Sequence, residues 1–440
     1  MTTARESAID SVAFHNDNAK PSGPRCQRCG DASVLEGLSV ADLSAPPVPS
    51  DHIMGVYARA PLAFERGEGS YLYTAEGEAY LDCMAGIAVT ALGHSHPKLV
   101  QAVKDQAEKL WHTSNIFRIP QQETLAAMLT AHTFADVCFF TNSGTEAIEC
   151  AIKTARKYHW AKGQPERIDI IGFDGSFHGR SLAAVNASGN ASYLEGFGPP
   201  MPGFVQAQWG DHEGLKALVG PTTAAIIIEP VQGEGGARAL PDACLRGLRQ
   251  LCDEAGILLI YDEIQCGLGR TGKLFAHEWA KGAAPDIMAV AKALGGGFPV
   301  GACLATVTAA SGMTPGSHGS TYGGNPLACA VGAKVMEIVS TDAFLNGVSQ
   351  RAALFRQGLE SLVARHPGVY EAVRGQGLIL GLKCRASNAE VVKANTAQML
   401  LTVPAADNVI RLLPALNIPD ADISEALSRL DRAAATVKAA

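Results

Sequence analysis

Short apolar runs alternate with helical periods over much of the chain. Val137–Thr141, Ile168–Phe173, Ala224–Glu229, Ile257–Asp262 and Ile287–Lys292 each hold four to six residues with little polar alternation. Runs of that length without a period of two predict strands buried on both faces. Between them lie amphipathic stretches such as Leu240–Ala255. Strand, loop and helix repeated in that order predict a doubly wound, mostly parallel α/β sheet, here a large domain over residues 95–336. Beyond it, residues 337–440 mix helical periods with strands at Leu378–Lys383 and Asn408–Leu413, as a smaller α+β domain would. From Gly69 to Asp82 the chain alternates about Glu76-Gly77, which predicts a hairpin; residues 51–94 are expected to pack with that smaller domain. Residues 1–50 have no period and few large apolar side chains, so a disordered extension is expected there.

Composition narrows the class. At 440 residues, 47% of them apolar, the chain can bury more than one ordinary core. A net charge of −7 gives no basic footprint for nucleic acid, and no apolar run is long enough to span a bilayer. Eleven cysteines, mostly inside apolar runs, fit free thiols in a reducing cytoplasm. Cys26 and Cys29 form a lone C-x-x-C with no second pair at zinc spacing, and His94 and His96 lack a carboxylate or thiol companion. A tail thiol pair and structural histidines are the simpler readings, so no metal is expected.

The chemistry concentrates in Ile257–Val300. Asp262 and Lys292 each close an apolar run, so a parallel sheet brings both to its carboxyl edge, where such folds bind ligands. Pyridoxal phosphate needs that pair: an amine to hold its aldehyde as a Schiff base, and a carboxylate to keep its ring nitrogen protonated. A lysine is more often a solvated charge, but Lys292 follows Ile287–Ala291 and is costly to bury unless bonded or neutralised. Ser143-Gly144-Thr145 opens a helix after a strand, where free N–H groups and the dipole favour a phosphate; an ordinary N-cap is the local alternative. Gly267–Gly272 matches G-x-G-x-x-G, but no helix opens on it and Asp286 precedes the next apolar run instead of ending it, which argues against a dinucleotide.

Six motifs in order complete the pattern: TNSGTEA at 141–147, FHGR at 177–180, EPVQGEGG at 229–236, DEIQCGLGRTG at 262–272, AKALGGGFPVGA at 291–302 and HGSTYGGNPLA at 318–328. From about Tyr57 onward the chain resembles the class III, ornithine-type aminotransferases of fold type I. The resemblance implies that Lys292 holds pyridoxal 5'-phosphate and shuttles a proton, that Asp262 faces the ring nitrogen and Gln265 the ring hydroxyl, and that Phe177 and Ile264 sandwich the ring. It implies a phosphate held by Ser143, Gly144 and Thr145 and reached by Ser320 and Thr321 of a neighbouring subunit, hence a homodimer. It gives Arg180 the distant substrate carboxylate, Arg411 the near one, Glu229 the role of neutralising Arg411 when no near carboxylate is bound, and Tyr57 a donor contact. The implied reaction moves the amino group of an ω-amino donor such as N2-acetylornithine to 2-oxoglutarate; succinylornithine, succinyldiaminopimelate, ornithine and 4-aminobutyrate are alternative donors. Outside the class, a nicotinamide oxidoreductase or a non-catalytic binding protein are the rivals.

Overall fold

The structure is a computed structural model that describes residues 52–438. The extension proposed for residues 1–50, with Cys26 and Cys29, lies outside the described residues. The chain divides into Met1–Pro61 and Leu62–Ala440, and each is described by itself.

The larger unit is built on a seven-stranded sheet: β1 (Val137–Thr141), β2 (Asp169–Phe173), β3 (Phe204–Ala207), β4 (Thr223–Ile228), β5 (Leu258–Asp262), β6 (Ile287–Val290) and β7 (Gly301–Ala305). In space they run β1-β7-β6-β5-β4-β2-β3. Only β7 runs against the rest, pairing antiparallel with β6 and β1. Every residue of β4 and β5 is buried, as the unbroken apolar runs require of strands covered on both faces. Each buried isoleucine there contributes roughly 1.5–3 kcal/mol relative to an exposed one. The helix α1 (Gly144–Ala161) lays Ala147, Ile148, Ala151, Ile152 and Ala155 on the sheet at three- and four-residue spacing. Small alanines in that stripe let its axis approach closely.

A second sheet, Tyr370–Gln376, Ile379–Cys384, Val409–Leu412 and Val403–Ala405, is antiparallel throughout. A third joins Arg66–Glu68, Tyr71–Tyr73 and Ala79–Asp82 to Leu400–Leu401, so the hairpin about Gly77 pairs with the far end of the chain. The glycine run Gly267–Gly272 forms turns and opens no helix. Asp286 instead accepts from Leu259 N and Arg249 Nη1, both at 2.8 Å, tying β5 to the loop before β6. His94 holds Asp82 through Nε2 at 2.8 Å, a structural role. Among the described residues no cluster fits a metal ion, and no helix is long and apolar enough to cross a membrane.

Candidate active site

The carboxyl ends of β5 and β6 lie side by side, with Asp262 paired to Ala289. Three residues beyond Ala289, Lys292 sits at φ 44°, a left-handed conformation that an L-residue adopts only when the surroundings enforce it. Asp262 and Lys292 line one cavity of about 500 Å³, as the sheet-edge argument requires. Burial, aided by the charge of Arg411, lowers the Lys292 amine below the usual lysine range against the pull of Glu234, Asp262 and Glu229.

Asp262 is buried and fixed from two sides. Its Oδ2 meets His178 Nδ1 at 2.8 Å and its Oδ1 accepts from Ile264 N at 3.0 Å. Burial works against a charged His178, but the hydrogen bond and charge of Asp262 outweigh it and raise the imidazole above its usual range. His178 Nε2 is buried without a partner, so the ring is committed to Asp262. His178 stands between Phe177 and Arg180 in a motif read for its aromatic and its cation; a histidine two residues before a candidate arginine carries no local sign of the carboxylate it reaches across the fold.

One end of the cavity is the amino terminus of α1. Ser143 caps the helix by accepting from Glu146 N at 3.3 Å, and the N–H groups of Gly144 and Thr145 fall in the first turn, where no intrahelical acceptor exists. Thr145 Oγ1 accepts from Arg180 N at 2.9 Å. That approach requires glycine at 179: its φ is 129°, and a Cβ there would come within 1.6 Å of Thr145 Oγ1. Phe177, Ile264 and Gln265 line the same cavity. The guanidinium of Arg180 lies 3.9 Å over the Tyr193 ring and 5.6 Å from the Phe177 ring.

A buried carboxylate, a left-handed lysine with a suppressed charge, an aromatic wall and open helix N–H groups within one cavity fit pyridoxal phosphate: donors for a phosphate, an anion for a ring nitrogen, a nucleophile for an aldehyde.

The two glutamates of the 229–236 loop separate in a way that corrects the resemblance. Glu229 does not meet Arg411: its Oε1 accepts from Phe177 N at 2.9 Å, and burial together with the Asp262 charge raises its carboxyl pKa. Glu234 pairs with Arg411, Oε1 to Nη1 at 2.7 Å, and lines the cavity with Lys292. Arg411 is 1% exposed and also donates to Gln265 Oε1 at 3.3 Å. The physical reason is position on the fold: Glu229 directly follows β4 and stays at the sheet edge, whereas Glu234 lies far enough along the loop for its main-chain oxygen to accept from Ala406 N at 2.9 Å, beside Arg411.

One group of expected site residues of the larger unit lies elsewhere. Ser320 and Thr321 line a separate cavity of about 340 Å³ with Asn142 and Glu146. Tyr57 belongs to Met1–Pro61, exposed, with Arg59 5.6 Å from its ring.

Comparison with known proteins agrees with this geometry. Residues 54–434 match the family Aminotransferase class-III. Acetylornithine aminotransferase 2 of Caulobacter vibrioides is 62% identical over 392 residues, covering 88% of this chain and 97% of that protein. Among solved structures, N-acetylornithine aminotransferase from Stenotrophomonas maltophilia aligns with a TM-score of 0.76 at 38% identity over 86% of this chain and 97% of that one. Ornithine aminotransferase from Toxoplasma gondii aligns at 0.83 with 30% identity over 87% and 92%. The chain therefore belongs to the class III aminotransferases, fold type I enzymes that work with pyridoxal phosphate.

Proposed function

We propose that the protein transfers the δ-amino group of N2-acetylornithine to 2-oxoglutarate, in two half-reactions that take turns in the Lys292 cavity, as a step of arginine biosynthesis. The observation that carries this reading is the ion pair that Glu234 makes with the buried Arg411 beside Lys292. Glutamate presents a carboxylate next to its reacting amine and another far from it. N2-acetylornithine presents only a distant one. A site serving both must neutralise Arg411 in one half-reaction and free it in the other, because an uncompensated buried cation is costly. Glu234 is the group that can do both. Arg180, exposed and lining the same cavity, is assigned the distant carboxylate of either substrate, for which a forked guanidinium is suited.

Pyridoxal phosphate, when bound, supplies the electrophilic carbonyl and the electron sink. Asp262 would hold its ring nitrogen protonated, Gln265 its ring hydroxyl, Phe177 and Ile264 its faces, and Ser143, Gly144 and Thr145 its phosphate. The lowered pKa of Lys292 leaves more free base near neutral pH, so the amine can take the proton from the donor's reacting carbon and return it nearby.

Ser320 and Thr321 we assign to the phosphate of a second copy's site. Trp111, Ile116, Phe117 and Tyr322 are all more than 60% exposed, an apolar area suited to a partner surface. Asn115 on that segment donates to Ser320 O at 3.1 Å. Sedimentation is expected to give a homodimer; a monomer with full activity would remove this part. The free thiols among the described residues, most of them buried, support a cytoplasmic setting.

Glu234→Ala is expected to slow the N2-acetylornithine half-reaction roughly 10- to 100-fold, the loss of a charge-assisted contact. The glutamate half-reaction should be unchanged or faster, since no carboxylate has to be displaced. Single-turnover rates for each substrate measure this, and an equal loss in both counts against the gate. A steady-state donor panel tests the substrate: the highest kcat/KM is expected for N2-acetylornithine, and a higher value for ornithine, 4-aminobutyrate or either succinylated donor replaces it.

A further inference from the structure

Glu234 lines two cavities at once. One is the Lys292 cavity; the other is a side cavity of about 260 Å³ walled by Ser176, Asn190, Tyr193 and Pro404. Building on the gate reading above, we infer that this side cavity receives the Glu234 carboxylate when the near carboxylate of glutamate or 2-oxoglutarate takes Arg411, and that Asn190 and Tyr193 thereby set the balance between the two substrates.

Three observations support the motion. The main chain is pinned, because Ala406 N donates to Glu234 O at 2.9 Å. It is held close on the far side as well: a Cβ at Gly235 would come within 2.7 Å of Gln232 Oε1 and 2.8 Å of Gly175 O. The loop thus stays in place while the Glu234 side chain, 30% exposed, keeps rotational freedom. A carboxylate leaving Arg411 must find donors or water, since burying it unpaired is costly. The side cavity offers both: it opens beside the exposed Asn190, whose Oδ1 is taken by Ser192 N and Ser192 Oγ at 3.0 and 2.8 Å, which leaves the amide Nδ2 as its donating end. Tyr193 adds a phenol whose ring already carries the Arg180 guanidinium at 3.9 Å, so the residue touches the distant-carboxylate arginine and the gate's resting place together.

Asn190→Asp tests this without disturbing the turn, because Asp keeps the oxygen that caps Ser192. It replaces the donor with an anion facing the incoming carboxylate. The glutamate and 2-oxoglutarate half-reactions are expected to lose roughly tenfold in apparent affinity from like-charge opposition. The N2-acetylornithine half-reaction should keep its rate and its apparent affinity. Tyr193→Phe, which preserves the ring under Arg180, should weaken 2-oxoglutarate in the same direction and by less. In a Glu234→Ala background Asn190→Asp should have no further effect on either substrate. A merely structural loss would slow both half-reactions and would persist in that background. If Asn190→Asp leaves glutamate untouched while Glu234→Ala behaves as expected, the gate stands and the receiving cavity is wrong. If Glu234→Ala alters both half-reactions alike, gate and receiving cavity fall together.

Discussion

Lys292→Ala should leave a folded protein that neither turns over nor carries a borohydride-trappable link to pyridoxal phosphate. The loss in kcat is expected to exceed about 10⁴-fold, the upper end of what one positioned acid–base group contributes, because the same amine is also the nucleophile. Stability should move the other way. The amine is held below its usual pKa mainly by burial, so the native site disfavours its charge, and the neutral methyl of alanine removes that cost. Thermal unfolding of the cofactor-free variant should therefore match or exceed that of the cofactor-free parent, although the left-handed backbone at 292 remains strained with alanine. That divergence separates chemistry from collapse. A kcat within about 10⁴-fold of the parent, or a trappable link formed elsewhere on the chain, would mean that another amine does the work assigned here.

The apolar runs carried most of the fold, and the reason is physical. Strands buried on both faces must be apolar throughout, so β4, β5 and β6 stood out within a residue or two of their ends. Asp262 and Lys292 were legible because a charge ending such a run calls for an explanation. The direction of β7 was not legible, since Gly301–Ala305 has the same composition whether it runs with its neighbours or against them. Ala85, Ile87 and Ala88, left-handed around Gly86, were equally silent, because nothing in alanine or isoleucine announces positive φ. The site failed to read through where it depends on long-range partners. Glu229 and Glu234 share one loop and one chemistry, and the choice between them is made by Arg411 on a strand of another sheet. His178 reaches Asp262 from 84 positions away.

Asp262→Asn is the second large effect, and it follows from that His178 contact. Asparagine nearly preserves the shape and can still accept from Ile264 N, so the strand end should hold. What disappears is the charge. Without a facing anion a pyridine nitrogen does not keep its proton near neutral pH, and the electron sink weakens. A fall in kcat of about 10³-fold corresponds to roughly 4 kcal/mol of lost transition-state stabilisation. His178 then reports on the cause. In the parent its pKa is raised because the Asp262 carboxylate overrides burial, so His178 stabilises the fold fully below the unfolded imidazole's about 6.5 and that contribution is lost as pH rises through the folded value. In Asp262→Asn burial is opposed only by the weaker charge of Glu229, so the imidazole pKa should drop below the usual range, and stability should rise with pH up to the unfolded value instead of falling above it. Nuclear magnetic resonance of the buried imidazole and thermal unfolding across that range measure both. A variant that keeps kcat within tenfold of the parent while His178 still titrates upward would show that neither the ring nitrogen nor the imidazole depends on this carboxylate, and the assignment of Asp262 would be withdrawn.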